Sequence, residues 1–226
     1  DVDETQSSAA AAAAFGAWQS AVPPVVELSE APPASSRLVR VIPMMNKSQA
    51  DIAYGFIGVR RSDPTYYACW LMNNILGQYS MGGRLGESIR ERQGMAYYVF
   101  SALDANLIAG PLLIRAGVSP ANVDRTVASI DEELLALASR GPTETELTES
   151  KGHLIGSMPR SLETNSGIAE FLEAAELLGL GLDYDLRVPD FLAAVSRDDV
   201  ATAARRLLDP ARAPVVVAGP YKGALR

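Results

Sequence analysis

The sequence predicts an α+β fold rather than alternating α/β. Two observations carry this. Strand-like apolar stretches come in neighbouring pairs joined by short polar turns, at 38–59 and 95–118. Helical periodicity is instead grouped, filling most of 119–208 before one last apolar stretch. Strands and helices that segregate along a chain argue against repeated βαβ units. The 226 residues, 48% hydrophobic and 21% charged, suffice for one large domain and have an ordinary globular balance.

Each element has a local cause. Residues 1–20 contain an alanine-rich helix that ends at Phe15-Gly16-Ala17-Trp18, because alanine favours helix and glycine stops it. Pro23-Pro24 and Pro32-Pro33 make 21–36 an extended linker. Residues 1–36 are therefore read as a helix remnant plus linker, and 37–226 as the α+β domain. Leu38–Met45 predicts a strand, Asn46-Lys47-Ser48 a turn and Gln49–Val59 a second strand. Both faces of that second strand are apolar, which predicts a central, buried position. Asp63-Pro64 reads as a helix start, with Ala68, Leu71, Met72 and Ile75 on one face and Gly77 as the stop.

Gly82-Gly83 predicts a turn, Leu85–Arg92 a short charged helix, Gly94 its cap and Met95–Ser101 a strand. Leu103–Asn106 reads as a turn into a partner strand at Ile108–Val118. Ser119-Pro120 opens a helix whose Val123, Val127, Ile130, Leu134 and Leu137 recur at helical spacing. Gly141-Pro142 ends it. Thr143 with Glu146 forms a capping box for the next helix, which runs toward Pro159. Helices at 165–178, 186–195 and 197–208 follow, the last capped by Ser196 with Asp199, and Ala213–Ala218 is a closing strand.

The net charge of −7 argues against a nucleic-acid partner, although Arg84, Arg90 and Arg92 make a local basic patch. The single cysteine, Cys69, lies in an apolar run and reads as a small core residue. The single histidine, His153, cannot supply the two imidazoles of a His-x-x-Glu-His zinc site. There is no phosphate-binding loop and no Ser/His/Asp arrangement. Neither a signal-peptide pattern nor an apolar stretch long enough to span a bilayer is seen, and the compartment stays open between cytoplasm and periplasm.

Within 71–101 stand Leu71-Met72-Asn73-Asn74-Ile75-Leu76-Gly77, then Gly83-Arg84-Leu85, then Gly94-Met95-Ala96-Tyr97-Tyr98-Val99. This succession resembles the C-terminal half of the pitrilysin/insulinase-type zinc peptidases, which include the mitochondrial processing peptidase. The Phe15-Gly16-Ala17-Trp18 tetrad resembles the close of the N-terminal half in that family. The resemblance spans about residues 11–220. It implies a mostly antiparallel sheet with helices packed on one face, as the non-zinc-binding half of a metalloendopeptidase for extended or unfolded peptides. It further implies that Arg84 and Tyr97 contact a substrate carbonyl or oxyanion, and that zinc is held by an N-terminal half or separate subunit. This chain alone would then be inactive, with no cofactor of its own.

Rival readings stand beside these. Arg84 could pair with Glu87 on the surface, and Tyr97 could be a core aromatic. Strand alternation sends Tyr98 to the face opposite Tyr97. Glu87, Arg90, Glu91 and Arg92 read as a solvated, mixed-charge face. The chain could also be a non-catalytic scaffold or peptide-binding subunit of a larger assembly. A surface left uncovered by an absent half would favour homo-oligomers.

Overall fold

A computed structural model describes residues 3–19, 28–78 and 82–223. The Pro23-Pro24 part of the expected linker and the Tyr79-Ser80-Met81 spacer lie outside the described residues. Five strands form one mixed sheet: β1 (Leu38–Pro43), β2 (Ala50–Ile57), β3 (Ala96–Ala105), β4 (Ala109–Val118) and β5 (Pro214–Gly219). Their order is β1-β5-β2-β4-β3. Only β1 and β5 run parallel; the other pairings are antiparallel. The α+β expectation therefore holds, with one parallel pair inside a mostly antiparallel sheet.

The helices are α1 (Glu4–Phe15), α2 (Tyr66–Asn73), α3 (Val123–Arg140), α4 (Glu144–Ser161), α5 (Asn165–Leu177), α6 (Tyr184–Ala193) and α7 (Arg197–Leu207). α1 buries no residue. The core lies between the sheet and the layer of α2, α3 and α7. Ile52 and Tyr54 of β2, Leu112 and Ile114 of β4, and Val215 and Val217 of β5 meet Leu71, Ile130, Leu134, Val200 and Ala204 there. Burying each such aliphatic side chain contributes roughly 1.5–3 kcal/mol. The five apolar residues that predicted α3 are all buried. β2 alternates strictly between buried and half-buried residues, so only one of its two apolar faces is fully covered.

Several boundaries moved, each for a physical reason. Asp63 does not start a helix. Its carboxylate accepts from the Thr65 backbone N–H at 2.8 Å and hydroxyl at 2.6 Å, closing a turn, and α2 begins at Tyr66. Gly77 does not stop α2, which widens into a π-type stretch over Asn74–Gln78. The β3–β4 hairpin is longer than expected, because pairing continues to Ala105 with Ala109. Both capping boxes form as read, Thr143 with Glu146 and Ser196 with Asp199. Cys69 is fully buried, and burial pushes its thiol above the usual range.

A polar network ties the start of the sheet to the helix layer. Arg37 donates to Asp131 at 3.0 Å and to the Pro210 carbonyl at 3.2 Å, and the Tyr54 hydroxyl donates to Asp131 at 2.8 Å. Burial, then the Asp131 acceptor, holds the Tyr54 hydroxyl far above its ordinary pKa, so it stays a neutral donor. Removing Asp131 leaves a mostly buried guanidinium without its counter-charge. Asp131→Ala should cost about 2 kcal/mol in urea unfolding, and Tyr54→Phe about 1 kcal/mol.

Candidate active-site segment

Residues 82–101 join the helix layer to the edge of the sheet. Gly83 is required by proximity: a Cβ there would stand 2.9 Å from the Gly77 Cα and 3.2 Å from the Leu76 carbonyl oxygen. Without a Cβ, Gly83 can lie against the end of the first π-type stretch. A second π-type stretch, Gly86–Arg92, follows. Such widened turns recur at functional sites. Leu85 and Ile89 are both fully buried, as their four-residue spacing predicts. Gly94 takes a positive φ of 60°. Its N–H donates to the Arg90 carbonyl and the Met95 N–H to the Ile89 carbonyl. These bonds fix the turn into β3.

Arg84 points inward, with its side chain only 14% exposed. Its Nε donates to Glu146 Oε1 at 2.6 Å, and its Nη2 donates to Glu146 Oε2 at 2.8 Å and to the Gly141 carbonyl at 3.1 Å. The partner is thus Glu146 of the α4 capping box rather than Glu87. Glu146 Oε2 also accepts from the Thr143 N–H at 2.7 Å. Burial by itself would raise the Glu146 carboxyl. The donors from Arg84 and Thr143 outweigh it and hold the group below the usual carboxylate range.

The exposed guanidinia of the segment are Arg90 and Arg92, 43% and 62% exposed. Arg90 lies 3.6 Å from Glu91, and Arg92 lies 3.9 Å from Glu87 and 3.7 Å from Glu133. The sequence reading set Arg90 aside within a mixed-charge face.

Tyr97 is 81% exposed. Parity alone would have sent it inward with Val99 and Ser101, which are 3% and 2% exposed. The pairing explains the reversal. Ala96 faces Val118 and Tyr98 faces Gly117, so Tyr97 is the extra residue of a β-bulge. β3 ends the strand order, and its outer edge has no strand partner among the described residues. Tyr98 is committed elsewhere, its hydroxyl donating to Asp51 at 2.8 Å. Partial burial and that acceptor raise its pKa. Arg84 and Tyr97 thus share one segment, but the first is clamped inside and the second stands in solvent.

No group of three or more His, Cys, Asp or Glu among the described residues could hold a metal ion. With one histidine in the whole sequence, the donor set does not fit a His-x-x-Glu-His zinc site. No helix of the described residues is long and apolar enough to cross a membrane.

The Glu146 carboxyl binds protons less tightly folded than its reference value of 4.5. Its contribution to stability is therefore full above about pH 4.5 and is lost as pH falls through the lower folded-state value. Glu146→Gln should cost about 2 kcal/mol near neutral pH. Urea unfolding should also show a smaller acid-side loss of stability in that variant than in the native chain.

The sequence profile described as "Peptidase M16 inactive domain" matches residues 1–154. An uncharacterized zinc protease of Streptomyces coelicolor is 31% identical over 77% of this chain and 38% of its own length. A probable inactive metalloprotease of Bacillus subtilis is 26% identical over 67% of this chain and 35% of its own length. The chain thus spans well under half of these relatives. Among solved structures, a peptidase M16 inactive domain from Pseudomonas fluorescens superimposes with a TM-score of 0.85 at 26% identity, covering 100% of this chain and 53% of that one. These likenesses show the family: the chain belongs to the peptidase M16 family, as its inactive domain.

Proposed function

We propose that this chain is the substrate-binding, non-metal half of a zinc metalloendopeptidase acting on extended or unfolded peptides. In this reading residues 37–226 are the working domain and 1–36 the connection toward a zinc-bearing half. The observation that carries the proposal is Tyr97, 81% exposed at a bulge on an unpaired edge strand. An exposed edge accepts an extended peptide by strand addition. A phenol hydroxyl beside it can donate to a substrate carbonyl as negative charge develops there. Zinc supplied by the other half would polarise that carbonyl.

The arginine role divides in two. Arg84 would have to break a two-pronged ion pair with Glu146 to touch substrate, so we assign it to holding the segment in place. Arg90, exposed just ahead of the Gly94 turn, is the guanidinium we assign to the peptide. The engagement of Arg84 also favours the scaffold reading, since a purely structural subunit needs only the clamp.

The zinc-bearing half, mixed with this chain, should cleave an unstructured peptide that this chain alone leaves intact. Tyr97→Phe should lower kcat/KM by about 10²-fold, as for a lost oxyanion donor, while Tyr98→Phe has little effect. An unchanged kcat/KM in Tyr97→Phe would refute the tyrosine's role. Absence of cleavage in any such mixture would favour the scaffold.

A further inference from the structure

We propose that a second groove, at the other end of the sheet, binds the C-terminal end of an extended peptide by adding it to the unpaired edge of β2. The inference shares with the proposed function only the class of ligand. β2 pairs with β4 over its whole length, from Ala50 with Val118 to Ile57 with Pro111. On its other side it pairs with β5 only from Asp51 to Tyr54. β5 starts at Pro214, which has no N–H to extend the ladder. Gly55, Phe56 and Ile57 therefore run on with one edge unpaired. A strand residue in an antiparallel ladder sends its N–H and C=O to the same side, alternating along the chain. Three consecutive residues thus aim at least one donor–acceptor pair into the open side. No described group bonds to that edge.

A cavity of about 810 Å³ lies along this edge. Phe56, Ile57, Leu113 and Leu207 give it an apolar floor. Its far wall is the segment Glu30–Ala34, held by Arg212, whose Nε donates to the Ala34 carbonyl at 3.0 Å. Pro32 and Pro33 in that wall have no N–H, so the wall cannot zip onto β2 and close the slot. Arg206, also at the cavity, is already committed to Asp63 at 3.1 Å and Thr65 at 3.0 Å. Of the cavity's carboxylates, Asp63 is held by Arg206 and Asp209 accepts from the Ala211 N–H, while Glu30 stands on the far wall; Arg60 is exposed, and its side chain makes no ion pair or hydrogen bond with the described residues. An unpaired strand edge, an apolar floor and an uncommitted guanidinium together match an extended chain end with an apolar residue and a terminal carboxylate. Ile57 faces Pro111 and Tyr98 faces Gly117, which separates the groove from Tyr97 by roughly 20 Å along β4.

The test uses this chain, a fluorescein-labelled valine- and threonine-rich hexapeptide with a free carboxylate, its C-terminal amide, and a backbone N-methylated version. Amide NMR shifts should saturate at Gly55–Arg60, and their titration, read separately from any shifts at the β3 edge, gives the affinity of this groove. N-methylation should abolish the Gly55–Arg60 shifts, because it removes the ladder donors. Arg60→Glu should weaken the free-carboxylate peptide about tenfold, the worth of one charge-assisted hydrogen bond, and leave the amide peptide unchanged. Equal binding of the N-methylated peptide, shifts confined to the β3 edge, or no binding would each overturn the proposal. So would a dimer in sedimentation that protects Gly55–Ile57, since a second copy would then hold the edge. Tyr97→Phe should leave binding here unaltered, so failure of this groove is separable from failure of the cleavage assay.

Discussion

The two-pronged ion pair between Arg84 and Glu146 is the contact on which the functional segment depends. It reaches from the glycine turn to the first turn of α4, and the same guanidinium also takes the Gly141 carbonyl at the end of α3. Glu146 is at once a helix cap and a counter-ion. One ion pair therefore ties together the start of α4, the end of α3 and the entry to residues 82–101. Breaking it strands a mostly buried guanidinium, which is far costlier than losing a surface pair. That cost is the physical reason to regard Arg84 as an anchor.

With its entry anchored, the segment can carry an exposed end. Leu85 and Ile89 sink into the core, the Gly94 turn reverses the chain, and β3 starts with a bulge. The bulge takes a residue that alternation would bury and turns it to solvent at the sheet edge. Tyr98, next to it, is held by Asp51. The pair of tyrosines is thus divided between structure and presentation by a single inserted residue. Two edges are unpaired for different reasons: β3 at Tyr97 because it ends the strand order, and β2 at Gly55–Ile57 because it outruns β5.

Much of this was legible in the sequence because the signals are local. The apolar strand stretches at 49–59 and 108–118, helical spacing in α3 and the two capping boxes each depend on neighbours within a few residues. What escaped depends on distant partners. Nothing near Arg84 announces a carboxylate 62 residues away. The close pass of Gly83 against Gly77, where the helix runs on in widened turns, is likewise a tertiary fact. The bulge at Tyr97 is a property of the β3–β4 register and not of either strand alone. Family resemblance points to Tyr97 over Tyr98, whereas alternation by itself puts Tyr97 inside.

The central claim is that Tyr97 faces the peptide while Arg84 does not. A photo-crosslinking side chain, benzoylphenylalanine, placed at position 97 and separately at position 84 tests it most directly. Each variant would be irradiated with an unstructured peptide and the zinc-bearing half. The account predicts peptide adducts from position 97 that an excess of unlabelled peptide removes, and none from position 84. Adducts from position 84 in a chain that is still folded, or none from position 97 while the peptide is bound, would contradict it.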